Sequence, residues 1–144
     1  MPWVKVWIHF VWSTKNREPY LTEDIRKIVF QHIRENAQKK GIFLDFIGGY
    51  VDHVHCLISP GTEQSIKEIM ELIKGESSHW INSKRITPTK FAWQDEYSAV
   101  SVSESLLDSV RRYIANQDAH HRTKEFAEEL DDFLKRAGFE RFED

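Results

Sequence analysis

Two histidines on one predicted strand have the residue type and spacing to bind a metal ion. The segment from Asp52 to Leu57 reads Asp-His-Val-His-Cys-Leu, and alternate residues of a strand point to the same face. His53 and His55 therefore project their imidazoles together, about 6–7 Å apart at the backbone. Two neutral imidazoles so placed can hold one divalent metal and leave most coordination positions open. A His-x-His tripeptide by itself is more often a pair of surface or core histidines.

The residues after this pair argue against three enzyme classes that use the same tripeptide. Nucleotide hydrolases of the histidine-triad type have a third histidine where this chain has Leu57. Metallo-β-lactamases need aspartate and histidine where it has Leu57 and Ile58. Amidohydrolases are large barrels, and 144 residues are too few for one.

A second candidate pair is Tyr113 and Gln117, which lie about one helical turn apart on one face of a predicted helix. A tyrosine phenol can attack phosphorus when a metal polarises the phosphate, and a glutamine oxygen suits a hard divalent metal. The adjacent Arg111 and Arg112 could neutralise phosphate charge. Tyr113 also fits the apolar stripe of the helix, and the arginines also fit a solvated face.

The elements predicted to position these residues follow the order βαββαβα. Periodicity and capping residues predict a central strand over residues 3–12, a helix from Thr22 to Gly41 and two further strands before residue 59. A helix at about 63–82, short strands at 91–93 and 99–102, and a helix from about 103 to 120 follow. We therefore predict an α+β, ferredoxin-like fold, an antiparallel sheet with its helices on one face.

Length and composition indicate one globular domain. The chain has 144 residues, of which 40% are hydrophobic, and no apolar run approaches the ~20 residues of a membrane helix. The N-terminus lacks the pattern of a signal peptide. The single cysteine, Cys56, can form neither an internal disulfide nor a thiolate zinc cage, which predicts a reduced, cytoplasmic protein. We expect one catalytic domain over residues 1–123 and an acidic helical tail over 124–144.

Charge alone does not indicate a nucleic-acid binder. The formal net charge is −3. Residues 124–144 hold four basic and eight acidic residues, whereas residues 1–123 hold sixteen basic and fifteen acidic ones. The body is therefore nearly neutral, and local basic clusters could still bind phosphate.

The chain as a whole resembles the single-tyrosine HUH transposases, the insertion-sequence-200-like family that includes REP-associated relatives. The resemblance covers roughly residues 3–130 and rests on five motifs in the family's order. They are the first strand and loop at 11–21, the His-hydrophobic-His motif at 52–58, helix residues 72–78, the segment at 91–103, and the helix at 110–117 followed by two histidines at 120–121.

The resemblance implies a mechanism and assigns residues to it. Tyr113 would attack the phosphorus of single-stranded DNA and form a 5′-phosphotyrosine bond, which a 3′-hydroxyl could reverse to rejoin strands. His53, His55 and Gln117 would bind Mg²⁺ or Mn²⁺, and no nucleotide cofactor would be needed. His120 is a weak candidate for a supporting role, whereas His9, His32 and His79 are predicted to be structural.

The resemblance also implies partners. Relatives recognise DNA hairpins and form homodimers through their first strands, and the catalytic tyrosine can serve the partner subunit. A membrane partner is not expected. Two alternative functions stay open, a domesticated protein that binds hairpins without cutting and a metal-dependent phosphodiesterase that uses water. The candidate DNA contacts are basic: Lys15, Arg17, Lys74, Lys84, Arg85, Arg111 and Arg112.

Overall fold

The structure, a computed structural model, describes residues 3–117. The predicted tail, the last residues of the predicted third helix and His120 lie outside the described residues. No helix within residues 3–117 has the length and apolar character to cross a membrane. The elements in chain order are β1 (Ile8–Ser13), α1 (Glu23–Lys39), β2 (Phe43–Tyr50), β3 (His53–Ser59), α2 (Ile66–Met70), a π-helical turn (Glu71–Gly75), α3 (Glu76–Ser83), β4 (Ser98–Ser101), a 3₁₀ turn (Glu104–Leu106) and α4 (Leu107–Ala115).

The sheet has the strand order β2-β3-β1-β4, and every neighbouring pair is antiparallel. This order confirms the predicted α+β, ferredoxin-like fold. β1 lies between β3 and β4, so both of its edges are hydrogen-bonded within the chain. The register sets Ser13 of β1 opposite His53, at the beginning of β3.

The main hydrophobic core lies between one face of the sheet and the helices α1, α2 and α3. Even-numbered residues of β1 and β3 supply the sheet side, with Phe10 and Val54 fully buried. On the helical side, Val29 and Ile33 of α1 and Ile69 of α2 pack into this core. The alternation of strand side chains thereby sends the odd-numbered residues, including both candidate histidines, to the opposite face.

That opposite face is covered by α4, which corrects the prediction that the helices share one face. Leu107 and Ile114 of α4 form a second buried cluster with Leu57 of β3 and Trp7. The apolar stripe of α4 must be buried, and the first face is already covered by the other helices. The second face offers Leu57 as an apolar partner.

Two predicted strand segments are shorter in the structure. The strand predicted over residues 3–12 begins only at Ile8, and Trp3 is 99% exposed. The partner strands end there, because Ile8 pairs with Ile58 and Ser101 near their last residues. The strand predicted over residues 91–93 is a single bridge between Trp93 and Thr14.

Candidate functional site

The two candidate histidines lie side by side and buried on the face that α4 covers. His53 and His55 are 0% and 2% exposed, and their ring centroids are 5.1 Å apart. Val54 and Cys56 point into the core on the other face. Burial raises the pKa of the Cys56 thiol, so this cysteine stays protonated and is remote from metal or nucleophilic chemistry.

His53 contacts an oxygen atom through each ring nitrogen. Its Nδ1 lies 2.8 Å from Asp52 Oδ1, and its Nε2 lies 3.0 Å from Gln117 Oε1. The amide nitrogen of Gln117 donates to the carbonyl oxygen of Tyr113 at 3.0 Å, which turns Oε1 toward the histidine. Residues 64 positions apart in the chain therefore meet at one imidazole.

His55 is oriented by a third histidine that sequence analysis missed. His9 Nε2 lies 2.9 Å from His55 Nδ1, and His9 is 2% exposed. The sequence interpretation treated His9 as structural. Its position on the same face as His55 follows from strand alternation and from the register that pairs Phe10 with Cys56. That register is set by the pairing of strands distant in the chain. The only signal in the sequence was that His9, like His55, occupies an odd-numbered position of its strand.

Tyr113 stands beside the histidines of its own chain. Its ring centroid is 5.6 Å from that of His55 and 6.3 Å from that of His9, with both contacts near perpendicular. The tyrosine is partly buried against the second core. One chain thus assembles the two histidines, the glutamine and the tyrosine in a single place.

The known proteins most informative about this arrangement are transposases. A family model described as "Transposase IS200 like" matches residues 3–117.

The chain belongs to the IS200-like transposase family.

Similar proteins support this membership. The ISDra2 transposase TnpA of Deinococcus radiodurans is 24% identical over 114 residues, which cover 76% of this chain and 81% of TnpA. A crystal structure of a putative transposase from Deinococcus radiodurans R1 aligns with a TM-score of 0.65 and 25% identity, over 81% of this chain and 93% of that one. A REP-associated tyrosine transposase bound to a REP hairpin shares the fold, with a TM-score of 0.63 and 14% identity, over 84% and 72% of the two chains.

The donor atoms at the site of this IS200-like transposase fit a divalent metal. His53 Nε2 and Gln117 Oε1 are 3.0 Å apart, and two adjacent ligands of an octahedral ion at about 2.1 Å lie about 3.0 Å from each other. Asp52 occupies the other nitrogen of His53, as carboxylates commonly do behind a metal-binding histidine. Within residues 3–117, no three His, Cys, Asp or Glu side chains form a metal-binding group, so such a site would depend on the glutamine amide.

Two of the side chains predicted to contact DNA make hydrogen bonds within the transposase itself. Arg111 donates from Nε and Nη2 to the two carboxylate oxygens of Asp45, at 2.7 and 3.0 Å, and from Nη1 to Asp108 at 2.9 Å. These hydrogen bonds, foremost that with Asp45, raise the pKa of Arg111. The guanidinium joins α4 to β2, and its role as a phosphate contact stays a prediction.

Lys74 is the second of these side chains. Its Nζ donates to the carbonyl oxygens of Gln94 and Asp95 at 2.6 and 3.0 Å, and the ammonium lies 5.6 Å from the ring centroid of Tyr97. Burial lowers the pKa of Lys74, while Asp95 and Glu96 oppose that shift. Lys74 therefore fastens the segment at 94–97 to the helical layer, and its role as a DNA contact stays a prediction.

The other predicted DNA contacts are exposed, but they lie in different places. Lys15 and Arg17 lie in the exposed 3₁₀ turn that follows β1, whose backbone contacts the segment at 92–94. Arg112 is exposed on α4 beside Tyr113. Lys84 and Arg85 lie at the end of α3, in the helical layer on the other side of the sheet.

Proposed function

We propose that this IS200-like transposase cleaves and rejoins single-stranded DNA through a covalent bond to Tyr113. The observation that carries the proposal is the convergence of Tyr113 and Gln117 of α4 on His53 and His55 of β3 within one chain of a transposase family. A tyrosine next to groups that can bind a divalent metal is the arrangement expected for nucleophilic attack on phosphorus.

The proposed reaction exchanges one phosphate ester for another. The phenol oxygen of Tyr113 loses its proton and forms a bond to phosphorus while the bond from phosphorus to the 3′-oxygen breaks. The departing strand ends in a 3′-hydroxyl, whose oxygen gains a proton, and the other strand remains attached through a 5′-phosphotyrosine. A 3′-hydroxyl can attack that ester and release the tyrosine, so strands are rejoined without a nucleotide cofactor.

His53, His55 and Gln117 would hold Mg²⁺ or Mn²⁺ in this proposal. The bound ion would polarise the scissile phosphate and offset the charge that develops on its oxygens. Asp52 and His9 orient the two histidines from behind. The buried position of both histidines keeps water away from those ring faces.

We further propose that the substrate carries a DNA hairpin and that the protein acts as a homodimer in the cytoplasm. The hairpin proposal is supported by the REP-associated neighbour, which is described bound to a REP hairpin, by the exposed Arg112 next to Tyr113, and by the exposed Lys15 and Arg17 in the turn after β1. Residues 3–6 extend beyond the sheet, and Trp3, Val4 and Val6 are 99%, 50% and 45% exposed. An exposed apolar segment of this kind favours pairing with a second copy.

The test is an adduct assay on the whole chain. The protein is incubated with Mn²⁺ and a single-stranded oligonucleotide that carries a hairpin from the flanks of its own gene. We expect a covalent protein–DNA species on a denaturing gel, with mass spectrometry placing the nucleotide on Tyr113. Tyr113→Phe removes one hydroxyl and should abolish the adduct.

Each other outcome contradicts the proposal in its own way. Undiminished adduct in Tyr113→Phe would assign the nucleophile to another residue. Cleavage with multiple turnover and no adduct would indicate a phosphodiesterase that uses water. Tight hairpin binding without cleavage at ample Mn²⁺ would indicate a domesticated binding protein.

A further inference from the structure

The ion pair between β2 and α4 joins Arg111 to Asp45, which lies at a β-bulge. Asp45 lies at an irregularity of β2, where the register moves from Leu44 opposite Ile58 to Phe46 opposite Leu57. Such a bulge adds one residue and re-aims the side chains around it. Leu44 accordingly packs against the first core, whereas Phe46 packs against the second. The extra residue, Asp45, meets Arg111 on the α4 side of the sheet.

The contact is geometrically demanding. Two parallel hydrogen bonds join the Arg111 guanidinium to the Asp45 carboxylate, and the two side chains are 33% and 18% exposed. A paired fork of this kind fixes direction as well as distance. The third contact of Arg111, with Asp108, is made within α4, and Asp108 is 81% exposed. Of the two contacts that Arg111 makes, the one with Asp45 therefore joins α4 to the sheet.

The position of Arg111 on α4 relates this contact to the nucleophile. At 3.6 residues per turn, Arg111 and Tyr113 lie about 160° apart around the helix axis. The buried residues Leu107 and Ile114 lie between them, against the sheet. Apolar packing along that line tolerates small rotations of the helix, whereas a two-point hydrogen bond on one flank does not. Any rotation that opened the ion pair would move the Tyr113 ring on the other flank.

We propose that Asp45 and Arg111 are positioning residues, which set the rotation of α4 and so hold the Tyr113 phenol at the His53–His55 pair. This inference rests on the proposed function for its kinetic consequence. Its structural consequence, the placement of the Tyr113 ring, is independent of any reaction. The two can therefore fail separately.

The kinetic test compares carboxylates that contact the same arginine. Asp45→Asn removes the contact between elements, and Asp108→Asn, the matched control, removes only the contact within α4. We expect Asp45→Asn to slow single-turnover adduct formation about tenfold or more, with oligonucleotide affinity within about twofold of the wild type. Asp108→Asn should keep both quantities, and Asp45→Glu should recover part of the rate. The double variant Asp45→Asn/Arg111→Gln should be no slower than the slower single variant, because the two residues act as one unit.

The structural test uses protein labelled with 3-fluorotyrosine. The Tyr113 ¹⁹F resonance is assigned by its absence in Tyr113→Phe. Asp45→Asn and Arg111→Gln should shift or broaden it, and Asp108→Asn should leave it in place. An unmoved resonance in Asp45→Asn would overturn the proposal even if the wild type formed no adduct. Weaker oligonucleotide binding in Arg111→Gln with an unchanged Asp45→Asn rate would also overturn it, since Arg111 would then serve DNA.

Discussion

At the residue scale, the site depends on how each histidine ring is held. A metal-binding histidine is effective when its other nitrogen is fixed, because the fixed nitrogen sets the tautomer and the direction of the ring. Asp52 does this for His53, and His9 does it for His55. His9 lies within β1 and Asp52 directly precedes β3, so both histidines are held by residues of the sheet or at its edge.

We predict that replacing His9 weakens metal binding without removing a ligand. His9→Phe keeps an aromatic ring of similar size and removes the nitrogen that contacts His55. The Mn²⁺ concentration for half-maximal adduct formation should rise about tenfold or more, and calorimetric titration with Mn²⁺ should show the same loss. The matched control is His79→Phe, at an exposed position of α3. Equal Mn²⁺ affinity in His9→Phe and the wild type would show that His9 does not position His55.

At the element scale, the distance between α4 and β2 is set by a glycine. A Cβ atom on Gly48 would lie 2.6 Å from Ile114 Cγ2 and 2.8 Å from the Ile114 carbonyl oxygen. The second contact is with backbone, which cannot turn away as a side chain can. The helix that carries Tyr113 and precedes Gln117 therefore reaches the sheet only because residue 48 has no side chain.

We predict that Gly48→Ala displaces α4. The substitution should lower the free energy of unfolding by about 1–3 kcal/mol and slow adduct formation, as measured by urea denaturation and the single-turnover assay. The matched control is Gly75→Ala, where a Cβ meets nothing within 4 Å and the backbone is helical. That control should stabilise the protein by about 0.5–1 kcal/mol. Wild-type stability and rate in Gly48→Ala would contradict the close approach.

At the scale of the whole molecule, the sheet separates two kinds of surface. One face packs against α1, α2 and α3 in the main hydrophobic core. The other holds the histidines, with α4 packed beside them. Alternate residues of β3 thus contribute to the main core on one face and to the histidine face, with its smaller apolar cluster, on the other.

We predict that each chain uses its own tyrosine. Tyr113 lies against His55 of the same chain, so a mixture of Tyr113→Phe and His55→Ala subunits should form no more adduct than the two variants assayed separately. The measurement is adduct yield after the variants are unfolded together and refolded, with refolded wild type as the control. Substantial recovery in the mixture would show that the tyrosine serves the partner's histidines.

The sequence by itself predicted the order of the main elements and which candidate residues share a face. Strand alternation placed His53 and His55 on one face, and helical spacing placed Tyr113 near Gln117, because both relations depend only on local backbone geometry. The family resemblance added their roles. The fold class followed from the order of elements, which restricts how two helices can cover one sheet.

Only the tertiary structure decided which side chains from elsewhere in the chain contact those residues. The partnership of His9 with His55 depends on strand register, and the side of the sheet that α4 covers depends on which face the other helices had already filled. Lys74 and Arg111 looked like free cations in the sequence. Their carbonyl and carboxylate partners lie 20 and 66 residues away in the chain. The fold brings each pair together, so the sequence alone does not indicate these contacts.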